Sequence, residues 1–418
     1  MISMLYKMRP VHVIIIMILI LLAIPLFFES LYLWVGLSII GLLFCIIVFK
    51  VFNRNIKHVS AHEFVFSIIL MCLITLPTII ISFVNYIDVE PRSKKIKWHD
   101  VIVKPGKTVG PVINDHFLLR KRFIRFYNHL MVFKVGISPM PERVLLGRQG
   151  SLVYSGENVI EDYRSTIPFS RQQLEKIRKA LEKRNEYLRQ KGIKHYIFIA
   201  PNMHTIYPEN LPGYIKRIGM ISRFDQLIDF LGEKSNVKII DVRGELLKRK
   251  RSDALWYKTD THWNDLGAFV AYNALIREIK NDIPIIKPLR EDDFKKTAKI
   301  IKGGDLAGML DLSDCFKEKS IFMVPDSFQY SYERGDIGNY TDPSPGRTII
   351  MNHKNSRLPR MAMFRDSFAE ALVPYLSQNF SRSAYFWTPR LITEIVEKEK
   401  PDVVITEVTE RYIWKLAD

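Results

Sequence analysis

The sequence predicts an α/β fold, with a mostly parallel sheet covered by helices on both faces, carried behind three membrane-spanning helices. Three observations predict it. From about residue 166 onward, strand-length apolar runs alternate with helical stretches, the rhythm of a parallel sheet with crossover helices. Before that, the first eighty-odd residues hold three apolar runs of roughly 18–21 residues, each long enough to cross the hydrocarbon core. No internal repeat or low-complexity tract interrupts either pattern.

The apolar runs are residues 11–28, 31–49 and 64–84. They hold the excess in a hydrophobic content of 48% over 418 residues, which is at the upper edge of normal. A secretory signal would show one shorter run and a small-residue cleavage site, and neither is present. Lys7 and Arg9 precede the first run, and Lys50, Arg54 and Lys57 separate the second from the third. The positive-inside rule then puts the N-terminus in the cytoplasm and everything after about residue 87 outside. The expected localisation is therefore the cell membrane, multi-pass, with the long following domain on the extracytoplasmic side.

Residues 1–87 hold five basic and two acidic side chains, so +14 of the formal +17 belongs to the remainder. That charge suits either a solvated basic surface or an anionic membrane or polymer. No nucleic-acid motif appears, and nucleic acid is excluded as a partner on the outer side of a membrane. Cys45 and Cys72 lie in apolar runs, which leaves Cys315 alone, so no disulfide framework or zinc cluster can be assembled.

Three regions emerge: a membrane anchor over 1–87, a polar Pro/Gly-punctuated linker over 88–110, and one domain over 111–418. In that domain Ser170 is placed to cap a helix whose apolar residues Leu174, Ile177, Leu181 and Leu188 share one face, with Gly192 as its stop. "HYIFIA" at 195–200 reads as a buried strand, "FDQLIDFL" as a short helix and "VKIIDV" as a second strand. Residues 264–279 read as a helix, and "RMAMF" at 360–364 as a strand running into "RDSF". "SAYFW", a helix from Leu391 and "DVVITEV" at 402–408 complete the series. Functional groups in such sheets gather past the C-terminal ends of strands. Three places qualify: Pro201-Asn202, Arg365-Asp366-Ser367, and the stretch from Glu407 to Tyr412.

At the second place, Ser367 comes just after a buried strand and opens a helix, where its hydroxyl faces a cleft and helix N–H groups can stabilise an oxyanion. The alternative is that Asp366 or Ser367 only caps that helix. Elsewhere, "WYKTDTHWNDLGAF" sets Asp260 and His262 two residues apart just before a helix. In an extended segment both project to one side, so the carboxylate can fix the imidazole tautomer. His262 then serves as base for Ser367. Two other readings of the pair stay open: metal ligation, which lacks a third clustered histidine, and plain capping and core packing, with Trp263 packed beneath the imidazole.

Seven stretches together resemble the alginate O-acetyltransferase AlgX/AlgJ family. They are "NDHFLLRKRFI", "GRQGSLVY", "APNMHTIYPENLP", "YKTDTHWNDLGA", "GGDLAGML", "FRDSF" and "PDVVITEVTERYI", in family order across nearly all of 110–415. The resemblance implies an SGNH-hydrolase-like fold, with Asp260, His262 and Ser367 as catalytic triad and no metal or tightly held cofactor. It offers Asn202 as an oxyanion donor, against a turn-forming role for an asparagine after proline. His204, Arg411 and Tyr412 are candidates for the acceptor groove. Arg365 stands where the family has glycine, so it either reshapes the turn or adds charge to the site. The carbohydrate-binding module of AlgX-type proteins is not expected after Asp418, and three spans exceed the single anchor of the AlgJ type.

The expected function is a membrane-anchored O-acetyltransferase that modifies a cell-envelope or exported polysaccharide through an acyl-enzyme. The implied partners are the polysaccharide acceptor, the membrane and a membrane-bound O-acyltransferase (MBOAT) that supplies acyl groups. Two other classes use the same residues differently: an acetylesterase with water as acceptor, and a non-catalytic glycan-binding scaffold of an export complex.

Overall fold

The computed structural model describes residues 120–325, 330–333 and 347–418. The three predicted spans and the linker lie outside these residues. Among the described residues no helix is long and apolar enough to cross a membrane. The chain divides into two units, Met1–Phe126 and Tyr127–Asp418, and apart from the start of the first helix the second carries the architecture below.

Helix α1, Arg120–Leu130, continues into a π-helical turn at Met131–Val135. A short antiparallel hairpin, β1 (Val144–Leu146) and β2 (Leu152–Tyr154), comes next. Helix α2, Arg171–Gln190, begins at Ser170 with a full capping box, Ser170 and Gln173 exchanging bonds to each other's N–H. It stops near Gly192, whose φ of +71° costs a glycine nothing. The predicted apolar face, Leu174, Ile177, Leu181 and Leu188, is the buried one. Beyond it lie β3 (Lys194–Ala200), α3 (Arg223–Lys234), β4 (Ile239–Asp241), α4 (Arg243–Arg249) and α5 (Asp265–Asp282).

Strand β5, Phe294–Lys302, and β6, Lys317–Pro325, pair antiparallel along nine residues, with α6 (Asp305–Met309) in the connection. The chain continues through β7 (Tyr330–Glu333), β8 (Ile349–His353), β9 (Arg360–Arg365), β10 (Arg382–Trp387), α7 (Thr393–Glu399) and β11 (Val403–Thr409). Neither hairpin could be read from alternation. In β5 only Phe294 is buried, so its lysine-rich sequence carries no period-2 apolar signal.

Seven strands form the central sheet in the order β4-β3-β11-β9-β10-β8-β7. The first five are mutually parallel, and β8 and β7 extend the sheet antiparallel. The sheet is thus mixed, with its parallel part where the sequence puts it. Apolar side chains pack on both faces: α5 with Trp263, Phe368 and Leu372 on one, α2 and α3 on the other. Strand β11 lies between β3 and β9, with Thr409 opposite Ala200 and Thr406 opposite Phe364. The register therefore brings Asn202, Ser367 and Arg411 to the same edge of the sheet, since each lies two residues past the end of its strand.

Candidate active site

The Asp260–His262 stretch is shaped by the close packing of its flanks. Trp256 and Trp263 form an antiparallel bridge, and Leu255 O accepts the Asn264 N–H at 2.9 Å. Asn264 caps α5 by accepting the Gly267 N–H at 3.0 Å. A Cβ on Gly267 would meet Leu255 O at 2.2 Å, so this approach requires glycine. Within the loop, His262 Nδ1 and Asp260 Oδ1 are 2.7 Å apart, and the same oxygen accepts the His262 N–H at 3.0 Å. An ionised carboxylate only accepts, so Nδ1 donates and Nε2 is left as a base. Burial acts to raise the Asp260 carboxyl. The hydrogen bond and charge of His262, with N–H groups from Asp305 and His262, outweigh it and hold the group below the usual range.

Strand β9 supplies the other half. Ser367 Oγ lies 2.9 Å from His262 Nε2. Its side chain caps no helix, and the next segment, Phe368–Leu372, is a 3-10 helix rather than an α-helix. Asp366 takes the capping role instead, its Oδ1 accepting the Phe368 N–H at 3.0 Å. The Ser367 hydroxyl is therefore left to the imidazole. Asp366 is anchored to the neighbouring strand: Oδ2 accepts Thr409 N–H and Oγ1–H, both at 2.7 Å, and its own N–H donates to Glu407 Oε2 at 2.7 Å. Burial, with the charge of Asp366 added, pushes the Glu407 carboxyl well above its usual range. Trp263, buried as expected, donates Nε1–H to Phe368 O at 3.1 Å. The Phe368 ring lies 4.9 Å from the imidazole. His262, Asp260 and Ser367 are all only partly buried, so the chain of bonds is open to a substrate.

Arg365 is 1% exposed, and its guanidinium is committed to the turn. It bonds Glu370 Oε2 at 2.9 Å, the carbonyls of Asp366 and Arg347 at 3.2 Å, and stacks 4.6 Å from the Trp387 ring. It braces the turn that carries Ser367.

The remaining candidates form a cluster at the same sheet edge. Asn202 is buried; its Oδ1 accepts Arg411 Nη1 at 3.3 Å, and its Nδ2 has no partner among the described residues. Arg411 lies 5.4 Å over the Phe368 ring and 5.5 Å over that of Tyr154. Tyr412 donates to Glu157 Oε1 at 2.5 Å, and burial with that bond pushes its phenol up to about 12. His204 is buried edge-on to Tyr163 at 5.7 Å. Burial and then Arg411 push its imidazole down to about 3, so it is neutral. Beside Glu157 opens a cleft of about 450 Å³, lined by Glu142, Ser155, Asn158, Arg164 and Tyr214 among others.

Two further acids lie in stretches that the sequence singles out without giving either a role. The first, Glu410, is buried. Its Oε2 accepts Asn202 N–H at 2.8 Å and Thr205 Oγ1–H at 2.6 Å, and burial pushes the carboxyl up to about 7. The folded chain thus holds this proton more tightly than the unfolded chain. Its stabilising contribution is full below about pH 4.5 and is lost as pH rises through about 7. Glu410→Gln keeps a neutral acceptor. It is expected to be more stable than the wild type above pH 8, by on the order of 2–3 kcal/mol, with the gap closing near pH 5 in a series of melting curves.

The other is Asp305, the acid of "GGDLAGML". Its Oδ1 accepts Thr261 N–H at 2.7 Å, its Oδ2 accepts Thr261 Oγ1–H at 2.6 Å, and Oδ2 lies 3.8 Å from His262 Nδ1. Gly304 permits the approach, since a Cβ there would sit 2.2 Å from Asp260 Oδ2. Gly304→Ala must therefore displace Asp260. A loss of about 100-fold in turnover is expected from a shift of that size, read from ester hydrolysis rates beside a melting curve. Donor atoms of Asp260, His262 and Asp305 lie within 4.8 Å of one another, a spacing that a metal ion also uses. Each is also engaged with Thr261, Ser367 or another of the three.

Residues 144–333 match the family described as "ALGX: SGNH hydrolase-like domain, acetyltransferase AlgX". That span includes Asp260, His262 and Asp305 and ends before Ser367. The chain is 28% identical over 253 residues to the "Probable alginate O-acetylase AlgJ" of Pseudomonas aeruginosa, covering 55% of this chain and 62% of that protein. It therefore spans less than two thirds of that relative's length. Among solved structures it is similar to Bacillus cereus PatB1, at 17% identity and a TM-score of 0.48, covering 66% of this chain and 98% of that one. It is also similar to the O-acetyltransferase domain of Pseudomonas putida AlgJ, at 19% identity and a TM-score of 0.42, covering 65% and 92%. The family match and the mixed, largely parallel sheet agree on an SGNH-hydrolase-like α/β fold.

Proposed function

We propose that this chain is an O-acetyltransferase that places acetyl groups on hydroxyls of a cell-envelope or exported polysaccharide. The observation that carries the reading is the unbroken line Ser367 Oγ–His262 Nε2 at 2.9 Å and His262 Nδ1–Asp260 Oδ1 at 2.7 Å. The acetyltransferase family match over 144–333 and the likeness to an alginate O-acetylase support the reaction class.

Ser367 Oγ attacks the acyl carbonyl of a donor while His262 Nε2 takes its proton. Asp260 stabilises the imidazolium that forms. Collapse breaks the bond to the donor's leaving group, which takes the proton from His262, and leaves acetyl-Ser367. A sugar hydroxyl then gives its proton to His262 and attacks the ester. The second collapse leaves acetyl on the sugar and returns the proton to Ser367. In this reading the oxyanion donor is Asn202, whose buried Nδ2 has no partner among the described residues. On the same reading the acceptor binds in the cleft beside Glu157, whose carboxylate accepts from Tyr412.

In this reading residues 1–87 anchor the chain in the membrane with the domain outside. A membrane-bound O-acyltransferase delivers acetyl from the cytoplasmic side, where the thioester donor is made. The test uses the full chain in detergent, a chromogenic acetyl ester, and a panel of neutral and uronic oligosaccharides followed by mass spectrometry. Acetylated sugar formed in a Ser367-dependent way is the expected result. Release to water alone, whatever sugar is offered, replaces the transferase with an esterase.

A further inference from the structure

The "GGD" turn has no role in the chemistry above, yet it is built against the imidazole. Three hydrogen bonds tie Asp305 to the Asp260–His262 segment: Thr261 N–H at 2.7 Å, Thr261 Oγ1–H at 2.6 Å, and its own N–H to Asp260 Oδ2 at 3.0 Å. Gly304, which admits no Cβ, lets this turn come within contact of Asp260. The carboxylate so placed leaves Oδ2 at 3.8 Å from His262 Nδ1. That is too long for a hydrogen bond and short enough for a strong charge interaction in a partly buried site.

We propose that Asp305 is a positioning residue of this site: a second carboxylate that acts through His262 by charge and through Thr261 by fixing the loop. The proposal rests on the Ser367–His262–Asp260 reading. When His262 takes the serine proton, the imidazolium lies between two acids, Asp260 in contact and Asp305 one shell out. Two negative charges held together are unfavourable while the imidazole is neutral, and both are relieved when it becomes cationic. The arrangement therefore favours the charge-separated state over the resting one. Other titratable groups around the pair are Tyr154 from β2 and Tyr257 from the same loop, both pushed up chiefly by burial. Arg411 stands beyond Tyr154 and Phe368. Burial and the charge of Asp260 raise the Asp305 carboxyl itself, so it takes up a proton at higher pH than an ordinary aspartate.

The test labels Ser367 with phenylmethanesulfonyl fluoride in the full-length protein and tracks the adduct by intact mass across pH 4.5–8. In this step Oγ bonds to sulfur, fluoride leaves, and His262 takes the serine proton. Asp305→Asn removes the charge and keeps an acceptor for Thr261 N–H. At pH 8 the variant is expected to label about tenfold slower than wild type, the effect of one such charge on a partly buried neighbour. The ratio should move toward one as pH falls, because wild-type Asp305, raised by burial and by Asp260, takes up its proton earlier than an ordinary aspartate. A ratio of one throughout, or a loss that does not change with pH, overturns the proposal. The second result would leave Asp305 merely structural.

Where Asp305→Asn lowers the melting temperature, Thr261→Ser and Thr261→Val provide the comparison. Serine keeps the hydroxyl donor to Asp305 and is expected to label at the wild-type rate, and valine to label several-fold slower. Equal rates for the two overturn the proposal. If wild-type Ser367 does not label at any pH, the serine–histidine reading falls and this inference falls with it. Labelling in wild type that Asp305→Asn leaves unchanged sinks the inference alone.

Discussion

Replacing Ser367 by alanine is expected to lower acetyl-ester turnover by about 10⁴–10⁶-fold, the range seen when an acyl-transfer nucleophile is removed. The fold should not change. Ser367 Oγ bonds His262, while the cap of the following helix comes from Asp366 and the strand anchor from Thr409 and Glu407. A melting curve matching wild type beside lost turnover would place the defect in the chemistry. The acyl-enzyme supplies a second readout. A brief exposure to the ester should add one acetyl mass to the wild-type chain, mapped to the peptide holding Ser367, and none to the variant. Turnover within tenfold of wild type in Ser367→Ala would remove this serine from the mechanism.

The second large effect belongs to Asp260→Asn, expected to cost about 10³–10⁴-fold in turnover with substrate binding nearly unchanged. The carboxylate accepts three donors: His262 Nδ1–H, His262 N–H and Asp305 N–H. An amide accepts at one oxygen only. If that oxygen faces His262, Nδ2–H confronts Asp305 N–H, and a backbone donor in this half-buried loop loses its partner at a cost of about 1–3 kcal/mol. If the amide turns over, its Nδ2–H requires Nδ1 to accept, which moves the ring proton to Nε2. Nε2 then faces Ser367 as a donor and cannot take its proton. Either arrangement impairs the base, and the second abolishes it. The second also takes the acceptor from His262 N–H, so both cost stability, and a pH–rate profile separates them. Loss of turnover at every pH indicates the flipped tautomer. A loss below tenfold with normal stability would show that His262 does not depend on this acid.

The Asp260–His262 pair was legible because its geometry is local. Residues two apart in an extended loop share a side wherever that loop lies, and a carboxylate beside an imidazole fixes one tautomer. Ser367 was legible as a position, past a buried strand, but its connection to His262 spans 105 residues. Packing between the two segments made that connection: Trp263 donates to Phe368 O, and the Phe368 ring lies against both Trp263 and His262. Arg365 shows the opposite case: next to Ser367, it was read as either reshaping the turn or adding charge to the site. The fold instead commits it to Glu370, two backbone carbonyls and Trp387, which no local pattern signals.

What the sequence determined by itself is whatever depends on periodicity and on neighbours along the chain. That includes the alternation of strands and helices, the Ser170 cap, the apolar face of α2 and the acid–base pair. What only the tertiary structure decided is whatever depends on burial and on contacts distant in sequence. Asp305 reads as an ordinary acid after two glycines, and becomes a second carboxylate because Gly304 lets its turn touch Asp260. Glu407 and Glu410 read as polar residues at the end of a strand. Their carboxyls are raised because the sheet and its covering helices remove the water that would favour ionisation. Desolvation is a property of everything packed around a group, and so it is not written in the residues beside it.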